Sequence, residues 1–166
     1  DGLVKYGFAG QFDSYEGLTC DFTEFAADAG GSTVSPDGSK ATIDSAADQK
    51  ALTYMRGLIS SGVAPSAITT FQEQQSESLF TSGQVAFLRN WTYAYADSNT
   101  PGTSKVVGKV GVTNLPTFAG QAAQTAYVGR DRTTRVDEGE IRLMTGPDAA
   151  RLQSVSVTIT SPETSS

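Results

Sequence analysis

The residues of this chain that could do chemistry are mostly carboxylates and aromatic rings. There is no histidine, which removes the commonest general base and the commonest metal ligand. The one cysteine, Cys20, cannot form an internal disulfide or a thiolate metal cluster. Without an imidazole beside it, it is a poor nucleophile, and it reads as a small buried thiol. Carboxylates stand close together at Asp13 and Glu16, and again at Asp137, Glu138 and Glu140. Cleaving a glycosidic bond needs two carboxylates facing each other across a cleft, and neighbours in sequence do not supply that. A helix start accounts for Asp13 and Glu16 equally well. GGSTVSPDGSK has glycines but neither of the phosphate-binding spacings, and Asp37, Asp44 and Asp48 lack calcium-loop spacing.

Aromatic rings beside polar groups are the stronger signal. FTSGQVAFLRNWTY, residues 80–93, holds the only tryptophan, Trp91, after an apolar run and the pair Arg89-Asn90. Tyr93 and Tyr95 follow, and Tyr15-Glu16 stands at a helix start. A sugar site needs such a set: the C–H faces of a pyranose pack on an indole or phenol ring, and its hydroxyls take charged or amide partners. Taken by itself, the stretch fits a core tryptophan as well.

Composition narrows the classes. The chain has 166 residues, enough for one domain or one lobe of a larger protein, and for a real core. Hydrophobic residues are 38% and charged residues 18%, with Ser, Thr, Gly and Gln supplying the rest of the polarity. Net charge is −6 and the isoelectric point about 4.5. A nucleic-acid partner would want a basic stripe, and there is none. No run reaches the ~18 apolar residues of a membrane span, and the first residues lack the pattern of a signal peptide.

The elements that must position these residues are readable in part. LVKYGFAG (3–10) predicts a strand. Leu18, Phe22, Phe25 and Ala26 fall at helical spacing, with Asp13 or Ser14 as cap and Gly30-Gly31 as stop. STVSPDGSKATI predicts a hairpin about Pro36-Asp37-Gly38. DSAADQKALTYMRGLISSG (44–62) predicts a helix capped by Asp44 or Ser45, burying Ala51, Leu52, Met55, Leu58 and Ile59 and ending at Gly62. VAPSAI reads as a linker, and FQEQQSESLFTSG (71–83) as a polar helix burying Leu79 and Phe80 near its end. QVAFL is a short strand, NWTYAYADS a helical turn and SNTPGTSK a loop. KVVGKVGVTNLP (105–116) is a strand stopped by Pro116, and QTAYVG another. IRLMTGPDAARLQSV reads as a helix broken at Gly146-Pro147, and TITSPETSS as a frayed polar tail. Mixed helices and strands with long crossovers predict an α/β class.

The run from Phe80 to Tyr93, followed by KVVGKVGVTNLPTFAG (105–120), resembles the extracellular solute-binding proteins of sugar ABC transporters, in particular the maltose- and trehalose-binding group. The resemblance rests on Phe80, Gly83, Ala86, Asn90 and Trp91, then Gly111, Val112, Leu115, Pro116 and Gly120. The opening YGFAGQFDSYEGLTCDFTEFAADAGG, the helix at 44–62 and MTGPDAARL (144–152) are similar to further segments of the family in the same order. The chain departs from it at RDRTTRV (130–136), where an apolar strand is expected.

The resemblance implies a two-lobed, periplasmic-binding-protein-like (type II) fold, of which residues 1–160 would be mainly the C-terminal lobe. Hinge-crossing strands would lie near 105–129 and a disordered tail at 161–166. It implies binding of a disaccharide or oligosaccharide in a cleft, docking on membrane permease subunits, no cofactor and no nucleic acid. The protein would be extracellular or periplasmic, with a lipid anchor upstream as one option. Trp91 would stack on the sugar. Glu73 would accept its hydroxyls, with Glu77 as the competing choice. Tyr15, Glu16 and Gln11 would line the rim, and Gly129 would present backbone. A glycoside-acting enzyme with facing carboxylates is one rival. A non-binding lobe with Trp91 enclosed on all sides is the other.

Overall fold

The computed structural model describes residues 4–113, 115–121, 127–128, 141–142 and 156–159. Strand β1 (Tyr6–Ala9) runs parallel to β2 (Val85–Arg89), with Tyr6 opposite Val85 and Phe8 opposite Phe87. Parallel neighbours need a long crossover. It is built here from α1 (Glu16–Asp28), α2 (Ala46–Ser60), a 3-10 turn at Ser66–Thr70 and α3 (Glu73–Thr81). A short helix, α4 (Tyr93–Ser98), follows β2. Strands β3 (Val110–Thr113) and β6 (Ser156–Ile159) complete a sheet of order β1-β2-β6-β3, in which β6 is antiparallel to both neighbours. Strands β4 (Tyr127–Val128) and β5 (Ile141–Arg142) form a separate antiparallel pair. The class is α/β.

Local chemistry explains the main helices. In α2 the Ser45 hydroxyl accepts from the Asp48 backbone N–H, satisfying one of the orphan donors of the first turn. α3 begins with a capping box in which Gln72 and Gln75 each take the other's backbone N–H. It ends at Gly83, whose φ of 76° lies in the left-handed region where a side chain would be strained. That turn aims the chain straight into β2.

Apolar residues gather in separate clusters. One joins Phe12, in the loop before α1, to Phe22 and Ala26 of α1, Met55 and Leu58 of α2, and Ile68 of the 3-10 turn. The other joins Ala9, Phe80, Val85, Leu88, Ala94 and Val106 where α3 and α4 meet the strands. Fully buried Phe80 anchors the second cluster, which fixes the end of α3 against β2 and therefore the place of Trp91.

Several expectations change. The first helix is not capped by Asp13 or Ser14. Extended Tyr15 takes the N-cap position with no side-chain cap, and Asp13 instead accepts from Gln72 Nε2 at 2.7 Å, tying the loop to α3. VAPSAI is no linker: extended Pro65 opens the 3-10 turn, and Ile68 is fully buried. The apolar face of α2 is narrower than its spacing predicts, because Leu52 is 46% exposed. The hairpin about Gly38 is reduced to one bridge, Val34 to Ala41. Among the described residues of the segment 105–116 only Val110–Thr113 is strand, since Lys109 N–H closes a turn on Val106 C=O and Val106 is buried. Ile141 and Arg142 pair as strand, not helix. Thr158 and Ile159, expected in a frayed tail, pair within β6. MTGPDAARL, residues 161–166 and Gly129 lie outside the described residues.

Candidate functional site

Tyr15, Glu73 and Trp91 come together from different parts of the crossover and the strand end. Tyr15 stands at the N-cap of α1, Glu73 is the first residue of α3, and Trp91 follows β2. Glu73 Oε1 accepts from the Tyr15 hydroxyl at 2.8 Å and from Trp91 Nε1 at 3.1 Å. Placement in the first turn of α3 also puts the carboxylate at the favourable end of the helix dipole. All three side chains are partly exposed. Burial, and then the bond to Glu73, raise the Tyr15 hydroxyl above the ordinary tyrosine range.

Beneath Trp91 lies a buried polar cluster. Arg89, the last residue of β2, packs against Trp91 just beyond it: its guanidinium carbon sits 4.1 Å from the indole centroid, over the ring face. Arg89 Nε and Nη2 donate to the two oxygens of Glu24, each at 2.8 Å, and Nη1 donates to Gln11 Oε1 at 2.8 Å. Asp21 Oδ1 lies 3.0 Å from Arg89 Nε, an ion-pair contact, while the N–H itself points to Glu24. Asp21 Oδ2 accepts from the Gln11 backbone N–H. Burial pushes the Asp21 carboxyl up to about 8, against the opposing pull of Arg89. Gly10 leaves room for this carboxylate: a Cβ there would stand 2.7 Å from Asp21 Oδ2.

Asn90 points the other way and holds the strand end to α3. Its Nδ2 donates to Glu73 C=O at 3.1 Å, and its Oδ1 accepts the Trp91 backbone N–H at 2.8 Å. Trp91 is thus fixed by its backbone, by its indole N–H and by one face.

The remaining expected residues sit elsewhere. Gln11 is fully buried and does not reach the rim; its Nε2 donates to Ser76 Oγ and Arg89 C=O, so it supports the site from below. Glu16 is exposed and accepts from Cys20 Sγ at 3.3 Å. Glu77 faces α4. Burial and the neighbouring Asp97 carboxylate push it up to about 7. Asp13 and Glu16 have separate partners and do not face each other as a catalytic pair would. Asp137, Glu138 and Glu140 lie outside the described residues. Among the described residues no cluster of metal-ligating side chains occurs. A largely apolar cavity of about 540 Å³ touches Glu24 and Arg89 but is lined by none of Tyr15, Glu73 and Trp91.

Sequence reasoning missed Arg89, Glu24, Asp21 and Asn90 as organisers of the site. The signal was present: two carboxylates three residues apart in a helix that also buries Phe22 and Ala26, and an arginine closing an apolar strand. Buried charges at such positions need one another.

Comparison with known proteins gives the family. The model of the family "Bacterial extracellular solute-binding protein" matches residues 2–138. A probable ABC transporter-binding protein of Deinococcus radiodurans is 39% identical over 118 residues, covering 71% of this chain and 27% of the relative. The maltose-bound T. maritima MalE3 structure superposes with a TM-score of 0.68 at 38% identity, covering 72% of this chain and 30% of that one. A solute-binding protein of an ABC transporter from Agrobacterium radiobacter K84, in complex with ribitol, gives a TM-score of 0.66 at 28% identity, covering 74% and 31%. The chain therefore spans less than a third of the length of these relatives.

Proposed function

This chain belongs to the bacterial extracellular solute-binding protein family, and we propose that it forms one wall of a sugar-binding cleft in the substrate-binding subunit of an ABC importer. The observation that carries this reading is the partly exposed Trp91 ring, held at its edge by a carboxylate that also holds a phenol. An indole face suits the C–H face of a neutral sugar, and Glu73 and Tyr15 offer hydroxyl partners beside it. The ligand class is a disaccharide or other oligosaccharide, in line with the maltose in the T. maritima structure. The sugar is bound and handed on unchanged. Strands near 105–129 would carry the chain towards the opposite lobe, Gly129 would offer backbone at the ligand turn, Glu16 would lie at the rim, and closure would be a hinge motion that membrane permease subunits read.

The test uses the single tryptophan. Trp91 emission and its indole N–H resonance are followed while the 166-residue chain is titrated with maltose, trehalose and a non-sugar control. One wall of a cleft is expected to bind weakly, with a Kd of about 1 mM or above, equivalent to about 4 kcal/mol or less. A saturable change with a disaccharide and none with the control supports the reading. No saturable change with any sugar overturns it.

A further inference from the structure

We propose that Arg89 is a positioning residue for the Trp91 ring: clamped from behind by Glu24 and Gln11, its guanidinium backs one face of the indole and leaves the opposite face to the ligand. This rests on the reading of Trp91 as the sugar platform, but its geometry stands apart from that reading. The guanidinium carbon lies 4.1 Å from the ring centroid. A guanidinium attracted to a ring face can still slide over it, so the clamp matters. Here both Glu24 oxygens and Gln11 Oε1 each take one N–H at 2.8 Å. That fork is bidentate and planar, which fixes the guanidinium plane as a lysine ammonium could not. Gln11 Nε2 also holds the Arg89 carbonyl at 3.0 Å, so strand end and side chain are set by one amide.

Arg89 and Glu24 are themselves almost fully buried, at 4% exposure each. A buried arginine with this much support is costly to keep merely as an anchor, because hydrophobic replacements of such pairs are often neutral or stabilising. Its position over the only indole gives it a specific use. Without the backing, the ring keeps its edge bond to Glu73 but gains rotation about that bond, and a ligand must then arrest it on binding.

The experiment reads ring mobility before any sugar is added. Time-resolved anisotropy of Trp91 is measured in the parent chain, R89K and E24Q, with circular dichroism confirming the fold of each. R89K keeps the charge and loses the plane; E24Q keeps the shape and loosens the fork, so it decides the matter if R89K does not fold. Expected is a larger fast depolarisation amplitude in both, and maltose affinity weaker by about 3- to 30-fold in R89K. A variant that folds with lower thermal stability but with Trp91 depolarisation unchanged overturns the proposal and leaves Arg89 as a core ion pair. Increased mobility in the variants, with a parent chain that binds no sugar, keeps the positioning role and removes the sugar reading instead.

Discussion

Glu73 receives the Tyr15 hydroxyl and the Trp91 indole on one oxygen, Oε1. Hydrogen bonds to a charged acceptor contribute about 1.5–3 kcal/mol each when shielded, but this group is partly exposed, and its loss can be made good by water. E73A is therefore expected to cost at most about 1 kcal/mol in urea unfolding, to shift Trp91 emission, and to weaken disaccharide binding by about ten-fold or more. Equal affinity in the variant would take Glu73 out of the site. Cys20 gives a second test at this scale. Burial, and then the hydrogen bond to Glu16, push its thiol up to about 12, so at pH 8 it is almost wholly protonated. Alkylation of the folded chain by iodoacetamide should run roughly two orders of magnitude slower than in urea; equal rates would show the thiol to be open. Of the individual candidates, the sequence singles out Tyr15, Glu73 and Trp91 through a family resemblance, and the bonds that bring these three together are not legible in it. The sequence shows Arg89 only as a basic residue before Asn90. That it turns inwards depends on Asp21 and Glu24 from α1, which only the fold brings beneath it.

At the scale of elements, the well-marked boundaries are those with side-chain chemistry of their own. Ser45, one of the two caps its sequence offers, caps α2, and its hydroxyl also donates to Asp48 Oδ2 at 2.5 Å. Asp48 is fully buried, so S45A removes a cap and a partner together and should lower stability by about 1–2 kcal/mol. A smaller change, read as an unshifted urea midpoint, would mean that water replaces the hydroxyl. The element boundaries that sequence missed lack such local markers. The 3-10 turn at Ser66–Thr70 is held by buried Ile68 packing against the α1–α2 cluster, a tertiary effect that no period announces. Strand β3 is shorter than its apolar run because Val106 is drawn into the other cluster before the strand begins. The pairing of β6 between β2 and β3 joins segments far apart in the chain, but the strand itself is legible, because SVTI alternates polar and apolar residues with period two.

At the scale of the whole molecule, buried carboxyls set how stability follows pH. Asp21 titrates near 8 in the folded chain against 3.8 unfolded, and Glu77 near 7 against 4.5, both chiefly through burial. Their folded values are raised, so the native state holds more protons than the unfolded chain through the interval between. The stabilisation linked to those protons is complete below about pH 4 and is lost as pH rises through about 7 and then about 8. Asp37 acts in the opposite sense. Hydrogen bonds from Ser35 and Ser39 hold it near 2 against 3.8, so its contribution is present above about pH 4 and lost on acidification through about 2. Together they predict greatest stability in mildly acid solution and a falling urea midpoint between about pH 5 and 9. The net charge of −6 pushes the same way by self-repulsion, so the slope alone does not identify its source. D21N does. Asparagine keeps the acceptor for the Gln11 backbone N–H and leaves Arg89 paired with Glu24 alone. The variant should be more stable than the parent at pH 9, with a flatter midpoint across the window. A parent midpoint that rises from pH 5 to 9, or a D21N slope equal to the parent's, would show that Asp21 is ionised under Arg89 throughout and that the proton lies elsewhere.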